Sequence, residues 1–169
     1  IEFKPYGDSL LVNSAADAPF EMFKAGGHQF QGGLVLTPEA LKANGRLSWD
    51  AADLSSADLD FSTFGAEADT ANVSIKSLLG DDHLALETTN VKADVDFETQ
   101  VAAFENNSDN LTTALPYNEF KTSIDRFDWN MAGGSITFQA KPGKDRFTST
   151  NSDQDELNFT GTDATFDLN

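Results

Sequence analysis

Apolar and polar residues alternate with period two along much of this chain. Residues 91–97 read Val-Lys-Ala-Asp-Val-Asp-Phe, and residues 71–75 read Ala-Asn-Val-Ser-Ile. Successive side chains of a strand point to opposite faces of a sheet, so each run predicts a strand with one apolar and one solvated face. Similar runs occupy residues 57–61, 127–131, 136–140 and 164–168. The pattern predicts an all-β fold.

The apolar positions are filled mainly by Phe and Ala, with 14 Phe residues against 2 Trp and 2 Tyr. Alternating large and small side chains fill a narrow interior between close sheet faces. The one helix signal is short: residues 38–43 follow Thr37, a possible N-cap, and stop at Asn44-Gly45. We therefore expect an elongated, β-solenoid-like stack of short strands with a thin Phe/Ala core, and a β-sandwich is the alternative.

The chain shows no linker and no break in composition, so we expect residues 1–169 to form a single β-rich domain. It begins at Ile1 and ends directly after an alternating run that contains Phe166 and Leu168. Domains more often begin and end in polar, flexible residues. We therefore expect this domain to be a fragment of a larger chain.

Charge and composition exclude several classes of function. The formal net charge is −17, which repels phosphate backbones and anionic lipid heads, so we expect no nucleic-acid partner. There is no Cys, so disulfide scaffolds, thiol catalysis and Cys-based zinc sites are excluded. No apolar stretch approaches the roughly 18 residues that a transmembrane helix needs.

Three stretches carry a resemblance to a known group of proteins. They are residues 33–41 with 45–47, residues 91–97 with Phe104 behind them, and residues 115–131. In this order and spacing they resemble segments of very large, uncharacterised, β-rich envelope proteins of Bacteroidota. The resemblance covers about residues 33–138. It implies an extracytoplasmic location, at the cell-envelope surface or outside the cell, and a β-rich architecture, but no activity.

The same resemblance implies two candidate glycosylation sites. Asp8-Ser9-Leu10 and Asp69-Thr70-Ala71 match the acceptor pattern of periplasmic O-glycosylation, in which Asp precedes Ser or Thr and a small or aliphatic residue follows. The alternation that turns Ala71 inward predicts that Thr70 faces solvent. Ser9 and Thr70 are therefore the candidate glycan acceptors, and glycans are candidate partners.

Metal and catalytic signals are sparse. Asn151, Asp153 and Asp155 have the spacing that begins a calcium loop, but the expected Gly is replaced by Glu156 and the twelfth position is Thr162. They are the weak candidates for a structural calcium site, beside the simpler interpretation of a polar loop. His28 and His83 belong to no nucleophile or zinc motif and are interpreted as exposed turn residues. We expect no enzyme and no cofactor.

The aromatic residues are interpreted mainly as core. Phe97, Phe127 and Trp129 fall on the apolar positions of their strands and are the predicted core aromatics. The alternative is a sugar-stacking platform formed by Phe120, Phe127 and Trp129. Phe has no polar group, which favours packing over recognition.

These observations favour a non-catalytic structural segment of an extracytoplasmic protein. A cut, elongated sheet exposes unpaired strand edges, which can template the addition of another copy. We therefore predict self-association by strand-edge pairing, end to end, into filaments. The alternative is a carbohydrate- or lipid-binding β module of the cell envelope.

Overall fold

The structure is a computed structural model that describes residues 2–4, 8–24, 27–49, 51–78, 83–108 and 112–168. The all-β prediction is confirmed, because the described residues form sixteen strands and two 3₁₀ turns, Pro116–Asn118 and Ser152–Gln154. The strands are β1 (Glu2–Lys4), β2 (Ser9–Asn13), β3 (Phe20–Met22), β4 (His28–Leu36), β5 (Leu41–Trp49), β6 (Ala52–Phe61), β7 (Gly65–Lys76), β8 (Leu84–Asp96), β9 (Val101–Asn106), β10 (Thr113–Leu115), β11 (Phe120–Thr122), β12 (Arg126–Asn130), β13 (Ser135–Gln139), β14 (Arg146–Ser149), β15 (Asn158–Thr160) and β16 (Asp163–Asp167).

All sixteen strands belong to one antiparallel sheet. The long strands β4 to β8 form a meander at its centre. The sheet forks at both sides of this meander. β4 pairs with β3 along its first residues and with β2 along its last, while β8 pairs with β10 near its start and with β9 near its end. One arm then continues through β11, β14 and β15, and the other through β12, β13 and β16.

The forks follow from a line of irregularities that crosses the long strands. Pairing shifts by one residue where β5 meets β6 and at three places where β7 meets β8, two of them in the middle of the strands. Each shift inserts an extra residue, which is the geometry of a β-bulge and bends the strand. The bulged segments are residues 57–58, 69–70 and 89–90, and the cross-strand pair Gly32 and Gly45 lies on the same line.

The bulge line divides the sheet into two half-sheets. Half-sheet 1 contains β1, β2, β9, β12, β13, β16 and residues 33–36, 41–44, 59–61, 65–68 and 91–96. Half-sheet 2 contains β3, β10, β11, β14, β15 and residues 28–31, 46–49, 52–55, 72–76 and 84–88.

The inner faces of the two half-sheets pack against each other. Phe30 of half-sheet 2 lies 5.4 Å from Phe61 of half-sheet 1, measured between ring centroids. The Trp49 and Trp129 rings stack across the same interface at 6.1 Å. The sequence predicts a solenoid-like stack of short strands, with a β-sandwich as the alternative. The structure is one antiparallel meander, and its two halves pack face to face as the sheets of a β-sandwich do.

The core between the half-sheets combines large aromatic with small side chains. Phe104, Phe127 and Phe138 are fully buried, as are Ala93 and Ala102 on neighbouring strands. Large and small side chains thus lie next to each other in this core, as the alternation of Phe and Ala in the sequence predicts.

Two local predictions are corrected. Residues 38–43 form no helix, because β5 already begins at Leu41 and residues 37–40 form a tight turn. Thr37 nevertheless caps this turn, since its Oγ1 accepts hydrogen bonds from the amides of Glu39 and Ala40. The alternating run 57–61 predicts that Ala57 lies on the inner face with Leu59, yet Ala57 is exposed because the bulge at residues 57–58 changes the alternation.

Candidate ligand-binding cleft

The two half-sheets diverge at the side opposite the bulge line, where their strand-connecting turns meet. A cleft of about 900 Å³ opens there. Half-sheet 2 supplies its wall through the ends of β3, β4 and β5, and half-sheet 1 through the turns after β6, β8 and β12. The lining residues are mostly apolar: Phe23, Lys24, His28, Trp49, Ala51, Thr63, Phe64, Phe97, Glu98, Gln100 and Met131. A largely apolar cavity of this volume lies in the range of small-molecule sites.

The base of the cleft is a cluster of aromatic rings in mutual contact. Phe97 lies at its centre, with ring centroids 4.2 Å from His28, 4.8 Å from Phe23 and 5.3 Å from Trp49. The contacts of Phe97 with His28 and Trp49 are edge-to-face, an arrangement that suits the ring quadrupoles and holds the side chains in place. Phe64 stands at the rim and is 50% exposed. The cleft is therefore built on a packed base and has an open aromatic rim.

Both Trp residues of the chain lie at this site. Trp49 lines the cleft, and Trp129 stacks behind it with an angle of 22° between the ring planes. The indole Nε1 atoms of both residues are buried without a hydrogen-bond partner. Leaving a buried hydrogen-bond donor unpaired costs free energy, so these two indole N–H groups are energetically unfavourable features of this otherwise apolar region.

A second, polar groove of about 200 Å³ adjoins the cleft and shares Phe64 and Glu98 with it. It is called the acidic groove below, because its lining also includes Glu67, Asp94 and Asp96 and contains no Lys or Arg among the described residues. Backbone amides of Thr99 and Glu98 donate to Oδ1 of Asp96 at 3.1 and 2.8 Å. These hydrogen bonds lower the pKa of Asp96 and keep this carboxylate charged.

The predicted core aromatics divide between the core and the cleft. Phe127 and Trp129 are buried, whereas Phe97 is half-buried at the end of β8, in the base of the cleft. The alternative sugar-stacking platform does not assemble, because Phe120 packs on Phe159 of β15 while Phe127 stacks on Phe104. The alternative prediction, that Phe120, Phe127 and Trp129 form a sugar-stacking platform, is therefore wrong.

The two histidines behave differently. His83 is exposed, as expected for a turn residue. His28 begins β4 and is half-buried among the aromatic rings of the cleft, so its interpretation as an exposed turn residue is wrong. The local sequence around His28 could not show that this residue is half-buried, because its contact with Phe97 joins segments about seventy residues apart.

The candidate calcium residues have a structural role in the turn after β14. Asn151 Oδ1 accepts a hydrogen bond from the Asp153 amide at 2.8 Å and so caps the 3₁₀ turn Ser152–Gln154, while its Nδ2 donates to Glu119. Asp155 follows in the left-handed conformation, with φ of 46°. Among the described residues, no group of three or more His, Cys, Asp or Glu is arranged to hold a metal ion.

The candidate glycan acceptors lie on half-sheet 1 and on the bulge line. Ser9 is half-buried at the start of β2. Thr70 is exposed within the bulge of β7, and its carbonyl accepts a hydrogen bond from the Ser56 hydroxyl at 2.7 Å. A modifying enzyme needs access to the hydroxyl, so Thr70 is the better placed of the two; glycosylation of either stays a prediction.

Comparison with protein-family models, with curated proteins and with solved structures gives no match for this chain. The resemblance to Bacteroidota envelope proteins thus stays a prediction. None of the helices in the described residues has the length and apolar character required to cross a membrane.

Proposed function

We propose that this chain is a non-catalytic β module that binds the apolar part of a ligand in the aromatic cleft. The observation that carries the proposal is the cleft itself, a mostly apolar space of about 900 Å³ on a packed aromatic base. Transfer of apolar groups from water into such a site is favourable, and the polar rim orients what remains outside. The proposal follows the lipid-binding alternative of the sequence analysis and includes its extracytoplasmic location.

Intrinsic fluorescence tests this proposal directly, because both Trp residues lie at the cleft. Octyl glucoside is titrated below its micelle concentration, and a saturable change in Trp emission is expected. Phe64→Ala should weaken binding several-fold, since it removes the exposed rim ring. Phe159→Ala is the matched control: it removes an equally exposed Phe from β15, outside the cleft, and should leave binding unchanged.

Two results would contradict the proposal. One is an emission that stays constant throughout the titration; the other is an equal loss of affinity in both variants, which would indicate nonspecific adsorption. Maltohexaose is titrated in parallel. Saturation by maltohexaose without saturation by octyl glucoside would assign a carbohydrate ligand in place of an apolar one.

A second candidate function is self-association, and it is supported by the outer strands. Within the described residues, β1, β3, β15 and β16 each pair on one side only. A gap of about 210 Å³ between β15 and β16 is lined by Phe120, Phe147, Phe159 and Phe166 among others. Unpaired edges over open apolar core favour the addition of strands from another copy.

Light scattering and negative-stain electron microscopy test this second function. Filaments or oligomers are expected to disappear in Thr165→Lys, which places a charge on the edge strand β16. Thr89→Lys adds the same charge on an exposed position of the central strand β8 and should have no effect. A chain that stays monomeric at high concentration and high salt would exclude the self-association.

A further inference from the structure

The acidic groove brings like charges together on the outer face of half-sheet 1. Glu67 of β7 and Asp94 of β8 are direct cross-strand partners, and Glu67 is also the partner of Asp60 on β6. Like charges directly opposite each other destabilise a sheet. Asp60 is paired with Lys42 at 2.9 Å. Lys92 and Arg126 line a neighbouring groove with Asp94, but no ion pair joins Glu67 or Asp94 to a described residue. A cation bound beside them would offset this repulsion.

The aromatic rings of the cleft also favour a positively charged ligand group. The faces of aromatic rings carry negative potential and attract ammonium groups. Phe64 lies where the cleft and the acidic groove meet, together with Glu98. Lys24, on the opposite wall, is the one cation among the described lining residues of the two spaces. The chain as a whole, at net charge −17, repels anions.

We propose that the cleft selects amphiphiles with an apolar tail and a cationic, ammonium-type head. The tail lies on the aromatic base formed around Phe97, and the head lies at Phe64 and Glu98, on the rim that the cleft shares with the acidic groove. This inference rests on the proposed function and adds the chemical class of the ligand. The aromatic cleft provides the site, and the carboxylates determine the preferred charge of the head.

Three probes with the same eight-carbon tail test the inference: octyltrimethylammonium, octyl glucoside and octyl sulfate. Each is titrated below its micelle concentration in 150 mM salt, with Trp fluorescence and calorimetry as readouts. The cationic probe is expected to bind about tenfold more tightly than the anionic one, with the neutral probe between them. Tetramethylammonium, which lacks the tail, should bind far more weakly than octyltrimethylammonium.

A pair of double variants separates a local effect from the total charge. Glu67→Gln/Asp94→Asn should bring the cation-to-anion ratio close to one, chiefly by weakening the binding of octyltrimethylammonium. Asp153→Asn/Asp163→Asn removes the same charge at positions outside the groove and should keep the tenfold ratio. The first double variant should also be at least as stable as the parent chain, because it removes the Glu67–Asp94 repulsion.

The outcomes distinguish the two proposals. Equal affinity for the three probes would overturn the charge selectivity and leave the apolar-ligand function in place. Tighter binding of octyl sulfate would also overturn it and would place the head group beside Lys24. An absence of binding by all three would overturn both. A ratio that falls equally in the two double variants would show that the total charge, and not the acidic groove, produces the preference.

Discussion

The paired glycines on the bulge line allow a sharp test of how this sheet bends. Gly32 and Gly45 are cross-strand partners, each with φ of 150°. A Cβ added to Gly32 would lie 2.1 Å from the backbone oxygen of Asn44, so the strands would have to separate by more than about 1 Å. Gly32 cannot move away easily, because its amide donates to Ser14 Oγ at 2.9 Å and its carbonyl accepts from the Ser14 amide at 3.0 Å.

Gly32→Ala is therefore expected to reduce the free energy of unfolding by about 3–5 kcal/mol. Backbone strain contributes about 1–3 kcal/mol, and the disturbed hydrogen bonds contribute about 1 kcal/mol each. Gly143→Ala is the control: Gly143 also has a positive φ, of 80°, but a Cβ there would meet nothing within 4 Å. It should cost only about 1–2 kcal/mol.

Urea unfolding followed by Trp fluorescence measures both variants, and thermal unfolding gives a second value. For a chain of this length, Gly32→Ala should lower the melting temperature by about 6–20 °C. If Gly32→Ala loses no more stability than Gly143→Ala, the strands are not held in close contact at the bulge line. The bend of the sheet would then not depend on the close approach of Gly32 and Gly45.

Three further variants test other parts of the fold. Burial tends to raise the pKa of Asp53, but the hydrogen bond from Arg46 and its charge outweigh burial and lower this pKa, so the pair stabilises the fold above about pH 4 and less as the pH falls further. Arg46→Gln should therefore reduce the free energy of unfolding by about 0.5–1 kcal/mol at pH 7, measured by urea unfolding. A loss of stability that stays constant down to pH 2 would contradict this. Lys141→Gln leaves the buried Asp125 carboxylate without its cation and should lower the melting temperature. The double variant Lys141→Gln/Asp125→Asn should regain part of the lost melting temperature. If it does not, the loss of this ion pair is not the cause of the lower melting temperature. Phe138→Ala leaves a cavity between the half-sheets and should cost about 3–5 kcal/mol in urea unfolding, so a loss below about 1 kcal/mol would show that the site collapses or is not close-packed.

The period-two alternation determined the fold class and the identity of many core positions. It is a local property of the backbone, since successive side chains of a strand face opposite sides. Phe127 and Trp129 are buried as their positions in the alternating run predict. Thr37 was identified as a capping residue, although the chain after it returns as a strand because Leu41 pairs with Leu36.

Only the tertiary structure determined the bend, the two half-sheets and the cleft. A bulge adds one residue to one strand relative to its neighbour, so it depends on pairing between strands and leaves no pattern in either strand alone. The lining of the cleft comes from turns that are far apart in sequence, such as those that contain Phe23, Phe64 and Met131. Each of these residues is an ordinary apolar residue in its local sequence. Their common surface arises when the bulge line folds one half-sheet over the other.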